Sequence, residues 1–315
     1  MAFLYGIDEA GYGPILGPLA VSYTGFRIPD EIIAEDLWEI LKNAAGKNKR
    51  ALRGRLLITD SKKAYSRKSG IAHLLKTVLA LTALRPASSR DLIDSLTSSS
   101  LKKPADYPWY EGLRAESLDY DIDDVNISGE VFSRECGKNY IEYIGAGSEL
   151  LDAGAYNDLI LSVQNKSSLL FTLLCRLIAI IAENHPKETI QIIADRQGGR
   201  AHYSRPLAKM FPYMEVAVLK ESENISSYLL QGSSEIKIHF TAKADQRFLP
   251  VSAASMICKL LREIMVESLN KYFIARKPGL APTAGYWKDG LRFISEIEPI
   301  IEQQQIDRTR LVRSR

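Results

Sequence analysis

Residues Tyr5 to Val21 read YGIDEAGYGPILGPLAV, an apolar run that ends in two adjacent carboxylates and a turn rich in glycine and proline. The runs FLYGI and LAVSYTGF on either side of this turn predict two strands, because they are β-branched and aromatic and are bounded by breakers. An unpaired charge at the end of a buried strand is energetically expensive. Asp8 and Glu9 therefore need a compensating group.

The adjacency of Asp8 and Glu9 sets a geometric condition. Neighbouring residues on a regular strand point to opposite faces, so the two carboxylates can share a site only if the strand bends or ends there. Gly11, Gly13 and Pro14 favour such an ending. The alternative is an edge strand that carries two solvated acids.

The glycine spacing also resembles a loosened dinucleotide-binding loop. Such a loop needs a helix N-terminus directly behind it. Pro14 could open a helix, but Pro18 would fall in its second turn, and the residues after it predict a strand. The spacing therefore favours a turn between strands over a nucleotide-cofactor site at Gly11, Gly13 and Gly17.

Two further acids follow strand-like runs in the same way. TIQIIAD predicts a central parallel strand that delivers Asp195 to the carboxyl edge of a sheet, and EIKIHFTAKAD ends in Asp245. A single sheet could bring these acids together with Asp8 and Glu9. Like charges that close cannot all stay ionised without a cation. Carboxylates bind Mg²⁺, and two such ions about 4 Å apart can support phosphodiester cleavage.

The composition is that of an ordinary globular chain: 315 residues, of which 46% are hydrophobic and 25% charged. These values argue against disorder and against a fibre. The first residues contain no basic region typical of a signal peptide. Arg176 and Glu183 interrupt the longest apolar runs, which we predict to be too short to span a membrane. We expect a cytoplasmic monomer that binds no membrane.

The cysteines and histidines form no metal-binding or redox pattern. The three cysteines are odd in number and widely spaced, which predicts buried free thiols rather than disulfides. The four histidines form no H-x-x-H or H-E-x-x-H motif. Any metal should therefore be held by oxygen ligands, and not by Cys136, Cys175, Cys258, His73, His185, His202 or His239.

The net charge of +3 conceals two segments of opposite sign. Ten basic residues and a single acid, Asp60, lie between Lys42 and Lys68, whereas acids predominate between Asp106 and Glu135. A block of one sign is most often a solvated surface. A basic block beside a carboxylate cluster also suits a polyanion such as nucleic acid. The charge alone does not decide between these two interpretations.

The spacing of apolar residues predicts three main helices, over 71–81, over 167–184 and from about Ser252 onward. Between residues 85 and 137 the periodicity fails, and we interpret this segment as an insertion that is partly ordered around three aromatic residues, Tyr107, Trp109 and Tyr110. A second insertion, around 220–235, is typical of a hairpin. The alternation of strands and helices predicts an α/β layer around one sheet.

Five pieces of the chain resemble the type 2 ribonucleases H, the family of ribonuclease HII and its archaeal and eukaryotic relatives. They occur in the family's order and cover about half of the chain's framework. One piece alone is a weak signal, and five in order are a strong one. The pieces are GIDEAGYGPILGPLAV (6–21), DSKK (60–63), IIAD (192–195), KADQRFLPVSAASMICKLLRE (243–263) and TAGYWKD (283–289).

The resemblance implies an α/β, RNase H-like fold, with a five-stranded mixed sheet flanked by helices and interrupted by insertions. It implies a catalytic domain over residues 1–290, with the insertions at about 85–137 and 220–235. A C-terminal helix and a basic tail would follow over 291–315.

The resemblance also implies an activity, that of an endonuclease that cuts RNA, or an embedded ribonucleotide, within a duplex with DNA. Two Mg²⁺ or Mn²⁺ ions would be held by four catalytic carboxylates, Asp8, Glu9, Asp195 and Asp245. The nucleic acid would contact two groups of residues. Phosphates would be bound by Ser61, Lys62 and Lys63, and the ribose 2′-OH by Gly11, Tyr12, Gly13 and Tyr286.

Departures from the family pattern bear on the substrate. Tyr12 stands where the family has a basic residue, and an aromatic ring cannot make a charged contact to phosphate. Trp287 and Lys288 stand where a proline and a small polar residue are expected, and Cys258 replaces an alanine. Two alternatives therefore stay open: a nuclease of this fold with an altered nucleic-acid substrate, and a non-catalytic nucleic-acid-binding protein.

Overall fold

The computed structural model describes residues 1–65, 69–97 and 107–314, so Arg67 and Lys68 of the basic block lie outside the described residues. Within these ranges the main feature is a seven-stranded mixed sheet, accompanied by a small parallel pair of strands. The strands are β1 (Ala2–Ala10), β2 (Leu19–Ile28), β3 (Ala45–Gly46), β4 (Leu56–Leu57), β5 (Glu142–Leu151), β6 (Thr189–Asp195), β7 (Glu215–Glu221), β8 (Ile225–Gln231) and β9 (Glu235–Thr241).

Helices cover both faces of the sheet. Short 3₁₀ turns span Asp30–Ile32, Lys49–Ala51 and Pro108–Arg114. The α-helices are α1 (Leu37–Ile40), α2 (Ser61–Ala64), α3 (Ala72–Thr82), α4 (Ser89–Leu96), α5 (Ile122–Lys138), α6 (Ala153–Val163), α7 (Lys166–Asn184), α8 (Ser204–Met210), α9 (Ala244–Arg247), α10 (Leu249–Arg276), α11 (Trp287–Gln303) and α12 (Arg308–Leu311).

Strand β1 is central in the sheet, whose order is β5-β2-β1-β6-β9-β8-β7. It pairs antiparallel with β2 and parallel with β6, and β6 pairs parallel with β9. The mixed sheet flanked by helices confirms the predicted RNase H-like α/β class. The predicted number of strands is wrong, since the sheet has seven strands and not five. Because β1, β6 and β9 run parallel, their carboxyl ends meet at one edge.

The two additional strands, β7 and β8, form an antiparallel hairpin beside β9. This hairpin starts at Glu215, somewhat before the predicted insertion at 220–235. Strand β8 contains serines that are buried and hydrogen-bonded: the Ser226 hydroxyl donates to the Ala201 carbonyl at 2.6 Å, and the Ser227 hydroxyl bonds His239 Nδ1 at 2.8 Å. A strand with satisfied polar side chains has no clear hydrophobic signature, so the sequence indicated a hairpin here but not the bounds of this strand.

Side chains along β1 alternate between two apolar layers. Leu4 belongs to the layer on the α10 side, and Ile7 belongs to the layer on the α7 side. Gly6 lets α10 approach the strand, because a β-carbon at this position would clash with the backbone of that helix. Helix α10 therefore begins directly against the part of β1 that carries Asp8.

Helix α7 confirms the helix predicted over 167–184 and corrects one expectation about it. With 19 residues it is long and apolar enough, by length and composition alone, to cross a membrane, whereas we expected its apolar runs to be too short. Core residues such as Leu170, Leu173 and Leu177 pack in the layer beneath the sheet. A core helix of a globular protein has these same features.

The segment 85–137 contains regular structure that its sequence did not indicate. Helices α4 and α5 lie within it or at its end, and α5 buries only a few apolar residues, among them Val125 and Phe132. Its other residues are mostly polar, which obscures the helical period. The predicted aromatic group is ordered, since Trp109 stacks on Phe273 of α10 with 6.4 Å between ring centroids. Residues 98–106 lie outside the described ranges.

Candidate active site

Three of the predicted acids lie at the carboxyl ends of parallel strands. Asp8 follows the last residue of β1 that pairs with β6, Asp195 is the final residue of β6, and Asp245 lies in α9 just after β9. Ile7 pairs with Ala194, so Asp8 and Asp195 are neighbours across the two strands. The fold brings these acids to one edge of the sheet.

Asp8 and Glu9 lie on opposite faces of β1. The strand does not end at these residues, contrary to our expectation, because its pairing with β2 continues to Ala10. Asp8 is 7% exposed and lies on the α10 side, whereas Glu9 lies on the α7 side near Tyr12. The alternative of an edge strand with solvated acids is wrong, since β1 is central. Pairing with β6 stops at Ile7, so on the side of Asp195 the ladder does end before these two acids. Both carboxyl groups therefore have the same neighbours, since the charges of Asp195 and Asp245 act on each of them.

Burial raises the pKa of every acid in this group, and repulsion from neighbouring acids adds to the effect at three of them, Asp8, Glu9 and Asp245. Burial raises the pKa of Asp8 well above its usual value, and the charge of Glu9 adds to the effect. The pKa of Glu9 rises to about 7 through burial and the charges of Asp195 and Asp245. Burial also raises the pKa of Asp195, and it raises that of Asp245 to about 6 with the help of Asp60. We call Asp8, Glu9, Asp195 and Asp245 the carboxylate cluster.

Hydrogen bonds from the neighbouring helices hold the cluster in place. The hydroxyl of Ser255 in α10 bonds the carboxyl group of Asp8 and donates to the Ser61 hydroxyl at 3.0 Å. The thiol of Cys258 donates to the backbone oxygen of Asp8 at 3.1 Å. The amide of Ala244 donates to Asp195 Oδ1 at 3.0 Å. Cys258 is thus a buried anchor, and the described cysteines are all free and buried as predicted.

Lysines of α2 bring positive charge to the cluster. Lys62 and Lys63 are exposed. The charge of Lys62 lowers the pKa of Glu9, and both lysines lower that of Asp245. Ser61, the third predicted phosphate ligand, is buried, and its hydroxyl accepts the bond from Ser255.

Asp60 is a fifth carboxylate at this edge, and the sequence did not predict its place there. It does cap α2, since its Oδ1 accepts the amide of Lys62 at 2.9 Å. Its Oδ2 accepts from Gln246 Nε2 at 3.5 Å, and its charge raises the pKa of Asp245. The signal in the sequence was its position as the first residue of DSKK.

The turn after β1 depends on glycine and on a buried arginine. Gly11 has a φ of +90°, and a β-carbon there would clash with the carbonyl oxygen of Pro18. Arg262 is 2% exposed and lies against Gly11. It donates to the Ala284 carbonyl at 2.5 Å, and its guanidinium lies 5.6 Å from the ring of Tyr286. Arg262 thus links the turn to the predicted tyrosine. The turn leads into β2, so it lacks the helix of a dinucleotide-binding loop.

The side chain of Tyr12 packs inward. Its ring contacts the apolar layer on the α7 side, and burial together with the charge of Glu9 raises its pKa. The positive charge of Arg200, in the loop after β6, lowers the pKa of the same phenol. Arg200 is held by Ser167 Oγ at 2.7 Å and by the ring of Phe171 at 5.1 Å. A guanidinium therefore stands near the turn, although the turn residue itself is aromatic.

The donor chemistry of the cluster fits a hard divalent cation. Four carboxylates with raised pKa values share one edge of the sheet, and carboxylate oxygens are the ligands that Mg²⁺ and Mn²⁺ prefer. Within the described residues, no three His, Cys, Asp or Glu side chains are already arranged around one metal position. Cation binding there would require these side chains to move closer together, and the positive charge of the cation would offset their mutual repulsion.

A family model described as Ribonuclease HII matches residues 178–289. The resemblance to the type 2 ribonucleases H is confirmed. The matched region contains two acids of the cluster, Asp195 and Asp245, together with Tyr286. The first two type 2 ribonuclease H motifs, at 6–21 and 60–63, lie outside it, and the fold brings them to the same edge.

Solved structures resemble almost the whole chain at low identity. The PCNA:RNase HII complex from Archaeoglobus fulgidus is 15% identical with a TM-score of 0.46, over 99% of this chain and 94% of that one. Ribonuclease H2 from Pyrococcus horikoshii OT3 is 15% identical with a TM-score of 0.47, over 98% and 92%. Bst-RNase HIII in complex with Mn²⁺ is 15% identical with a TM-score of 0.44, over 99% and 66%. No curated protein matches the sequence.

Proposed function

We propose that this chain is a divalent-cation-dependent endonuclease that cuts RNA, or a single embedded ribonucleotide, within a duplex with DNA. The observation that carries the proposal is the carboxylate cluster, which lies at the ends of parallel strands beside a glycine turn and a tyrosine. Burying like charges without a counter-ion costs several kcal/mol for each charge. A bound cation would compensate this cost, which explains why the acids lie together. The match to the ribonuclease HII family supports the same reaction class.

The cluster would hold the cations, and its surroundings prepare it for that role. When bound, a pair of Mg²⁺ or Mn²⁺ ions activates water for in-line attack on phosphorus and stabilises the departing 3′ oxygen. Ser255 and the Ala244 amide keep Asp8 and Asp195 in place at the sheet edge. Lys62 and Lys63 are exposed beside the cluster and suit the phosphates of the scissile strand.

Exposed cations before α2 extend this surface and suit a polyanion. Lys47 lies 3.5 Å from the backbone oxygen of Gln246, next to Asp245, so the basic segment adjoins the cluster. Within the described ranges, four exposed cations of this segment have no ion-pair partner: Lys42, Lys47, Arg50 and Arg53. Contacts from such residues to backbone phosphates supply affinity and register without reading base sequence.

The exposure of the turn and of Tyr286 supports a contact of both with the ribose. Gly13 is exposed, and Tyr286 is 54% exposed. The amide of Ile15 donates to the Gly285 carbonyl at 2.8 Å, which holds the tyrosine next to the turn. Backbone groups of Gly11 and Gly13 together with this ring would recognise the 2′-OH, the group that separates RNA from DNA.

The inward position of Tyr12 favours one alternative, a nuclease of this fold whose nucleic-acid substrate is altered. With Tyr12 packed against the apolar layer, the turn offers the duplex main-chain groups but no charged side chain of its own. A non-catalytic nucleic-acid-binding protein is less well supported, because each of the four acids is present and buried or half-buried at the edge.

Cleavage of three labelled duplexes tests the proposal: all DNA, DNA with one embedded ribonucleotide, and an RNA·DNA hybrid. Each is incubated with Mg²⁺, with Mn²⁺ or with chelator. We expect cation-dependent cutting confined to the ribose-containing strands. Cutting of the all-DNA duplex would favour the altered substrate, and tight binding without any cutting would overturn the catalytic proposal.

A further inference from the structure

The end of the chain folds back onto the turn that follows β1. Val312 forms an isolated antiparallel bridge with Leu16, and the amide of Arg313 donates to the Ile15 carbonyl at 2.9 Å. The guanidinium of Arg313 donates through Nη2 to the carbonyl oxygen of Pro14, 299 positions away in the sequence. The segment expected to be a basic tail is therefore packed against the candidate active site.

Arg313 is a buried cation without a carboxylate partner among the described residues. The residue is 3% exposed, and its Nε and Nη1 atoms have no hydrogen-bond partner. Its guanidinium lies 4.9 Å from the ring of Tyr156 in α6. Burying an unpaired charge is costly. The contact of Arg313 with the turn is thus made at the expense of folding stability.

Asn157 of α6 fastens the same segment from outside. Its amide nitrogen donates to the carbonyls of Thr309 at 2.6 Å and Val312 at 2.8 Å, and its oxygen accepts the amide of Ser314 at 2.7 Å. These bonds fix the backbone on both sides of Arg313. The arginine is therefore directed to Pro14 by a separate set of contacts.

The turn is held on its other side as well, so it lies between two supports. The amide of Ile15 donates to the Gly285 carbonyl, and the side chain of Arg262 lies under Gly11. On the side of the C-terminal segment, the phenol of Tyr156 beneath Arg313 also interacts electrostatically with Tyr12. Arg313 thus contacts Pro14 and Ile15, the two residues that directly follow the Gly-Tyr-Gly sequence.

We propose that residues 307–314 form a clamp that sets the shape of the turn over Gly11–Gly13, with Arg313 as its positioning residue. Arg313 is buried beneath the turn and acts through Pro14 and Ile15. The effect on turn shape needs no assumption about activity, whereas the effect on cleavage rests on the proposed function. Displacing a positioned group by 1 Å can cost about 100-fold in rate. Loosening the turn should therefore lower kcat more than duplex affinity.

Hydrogen exchange of the turn tests the clamp directly. The variants are Arg313→Met, which removes the donors, Arg313→Lys, which keeps a charge, and Asn157→Leu, which releases the segment but keeps Arg313. Arg27→Met is the matched control, because Arg27 is exposed at the far end of β2. We expect exchange over residues 11–19 to rise at least about 10-fold in Arg313→Met and Asn157→Leu, less in Arg313→Lys, and not at all in the control.

The location of the change in amide hydrogen exchange decides whether the clamp exists. Unchanged exchange over 11–19 in folded Arg313→Met, or a rise spread equally over β6 and β9, would overturn the clamp. If Arg313→Met does not fold, Asn157→Leu carries the same test.

Kinetics then test the consequence for cleavage. Arg313→Met should lower kcat roughly 100-fold with little change in the duplex Kd, and Arg313→Lys should recover part of the loss. If exchange over residues 11–19 rises in Arg313→Met but kcat is unchanged, Arg313 does not act as a positioning residue for cleavage. If the unaltered protein cleaves no duplex, the proposed function fails, and the exchange result still decides the clamp.

Discussion

The carboxylate cluster and Glu149 are two buried acidic sites in one sheet, and they differ in their surroundings. Glu149 of β5 is fully buried, and burial raises its pKa to about 7, the same value as for Glu9. Glu149 lies on the outermost strand of the sheet and is buried on the α7 side, with its carboxyl group 3.7 Å from Arg176. The cluster gathers several acids at an edge beside exposed lysines. A raised pKa therefore does not by itself mark a site, whereas convergence of acids at an open edge does.

The strand register makes this comparison direct. Glu9 pairs with Val21, and Val21 pairs with Glu149, so the two glutamates lie in one row across three strands. Both carboxyl groups resist ionisation because they are buried. The charges of Asp195 and Asp245 add to this effect at Glu9, whereas Arg176 counteracts it at Glu149. Two glutamates on one face thus share a raised pKa but differ in exposure and in their neighbours.

The largest expected difference between the two sites is in catalysis. Asp8→Asn and Asp195→Asn should each lower cleavage of a ribonucleotide-containing duplex by at least about 1,000-fold, because each removes a cation ligand. Duplex affinity should stay the same or tighten, since repulsion within the cluster is relieved. Glu149→Gln should cleave at the normal rate. Retained cleavage in either aspartate variant would show that the site is assigned to the wrong residues.

A smaller difference is expected in the response of stability to divalent cations. A ligand at 100 times its Kd stabilises the folded state by about 2.7 kcal/mol. Mg²⁺ or Mn²⁺ should therefore raise the melting temperature of the unaltered protein and of Glu149→Gln by a few degrees relative to chelator. The double variant Asp8→Asn/Asp195→Asn should show no such shift in a thermal melt. An equal shift in all three proteins would mean that the cations bind elsewhere.

The smallest expected difference is in the pH dependence of stability at Glu149. Its folded-state pKa of about 7 lies above the ordinary glutamate value of 4.5, so the folded state binds the proton more tightly than the unfolded chain. This contribution to stability is fully present below pH 4.5 and is lost as the pH rises through about 7. Glu149→Gln should therefore be more stable than the unaltered protein at pH 8, by about 1 to 3 kcal/mol, and similar at low pH.

Urea unfolding at pH 4.5 and pH 8 measures this difference. Glu142→Gln is the matched control, because Glu142 lies on the same strand but its side chain is 63% exposed. A stability difference of equal size at both pH values would contradict the assignment of the titration to Glu149.

The parts of the fold that the sequence could predict are those with one dominant period. Strands β1, β6 and β9 are apolar runs bounded by breakers, and α7 and α10 repeat apolar residues at helical spacing. Helix α5 and the bounds of strand β8 within the predicted hairpin were not predicted, because a mostly polar helix and a strand with buried serines carry no such period.

The residues of the candidate site also fall into a group that the sequence could predict and a group that it could not. Asp8, Asp195 and Asp245 could be proposed because each ends or follows an apolar run. Asp60, Arg262 and Arg313 could not be assigned their places, because what distinguishes them is contact with residues distant in the sequence.

The sequence by itself determined that several acids stand at strand ends, that a glycine turn follows the first pair, and that basic residues gather before α2. These features depend on the local order of residues, which can be read without knowledge of the tertiary structure. Only the tertiary structure decided that Asp8 and Glu9 lie on opposite faces of a central strand, that Tyr12 packs inward, and that the chain's end returns to the turn. Such arrangements follow from burial and hydrogen bonding between distant segments, and no local period records them.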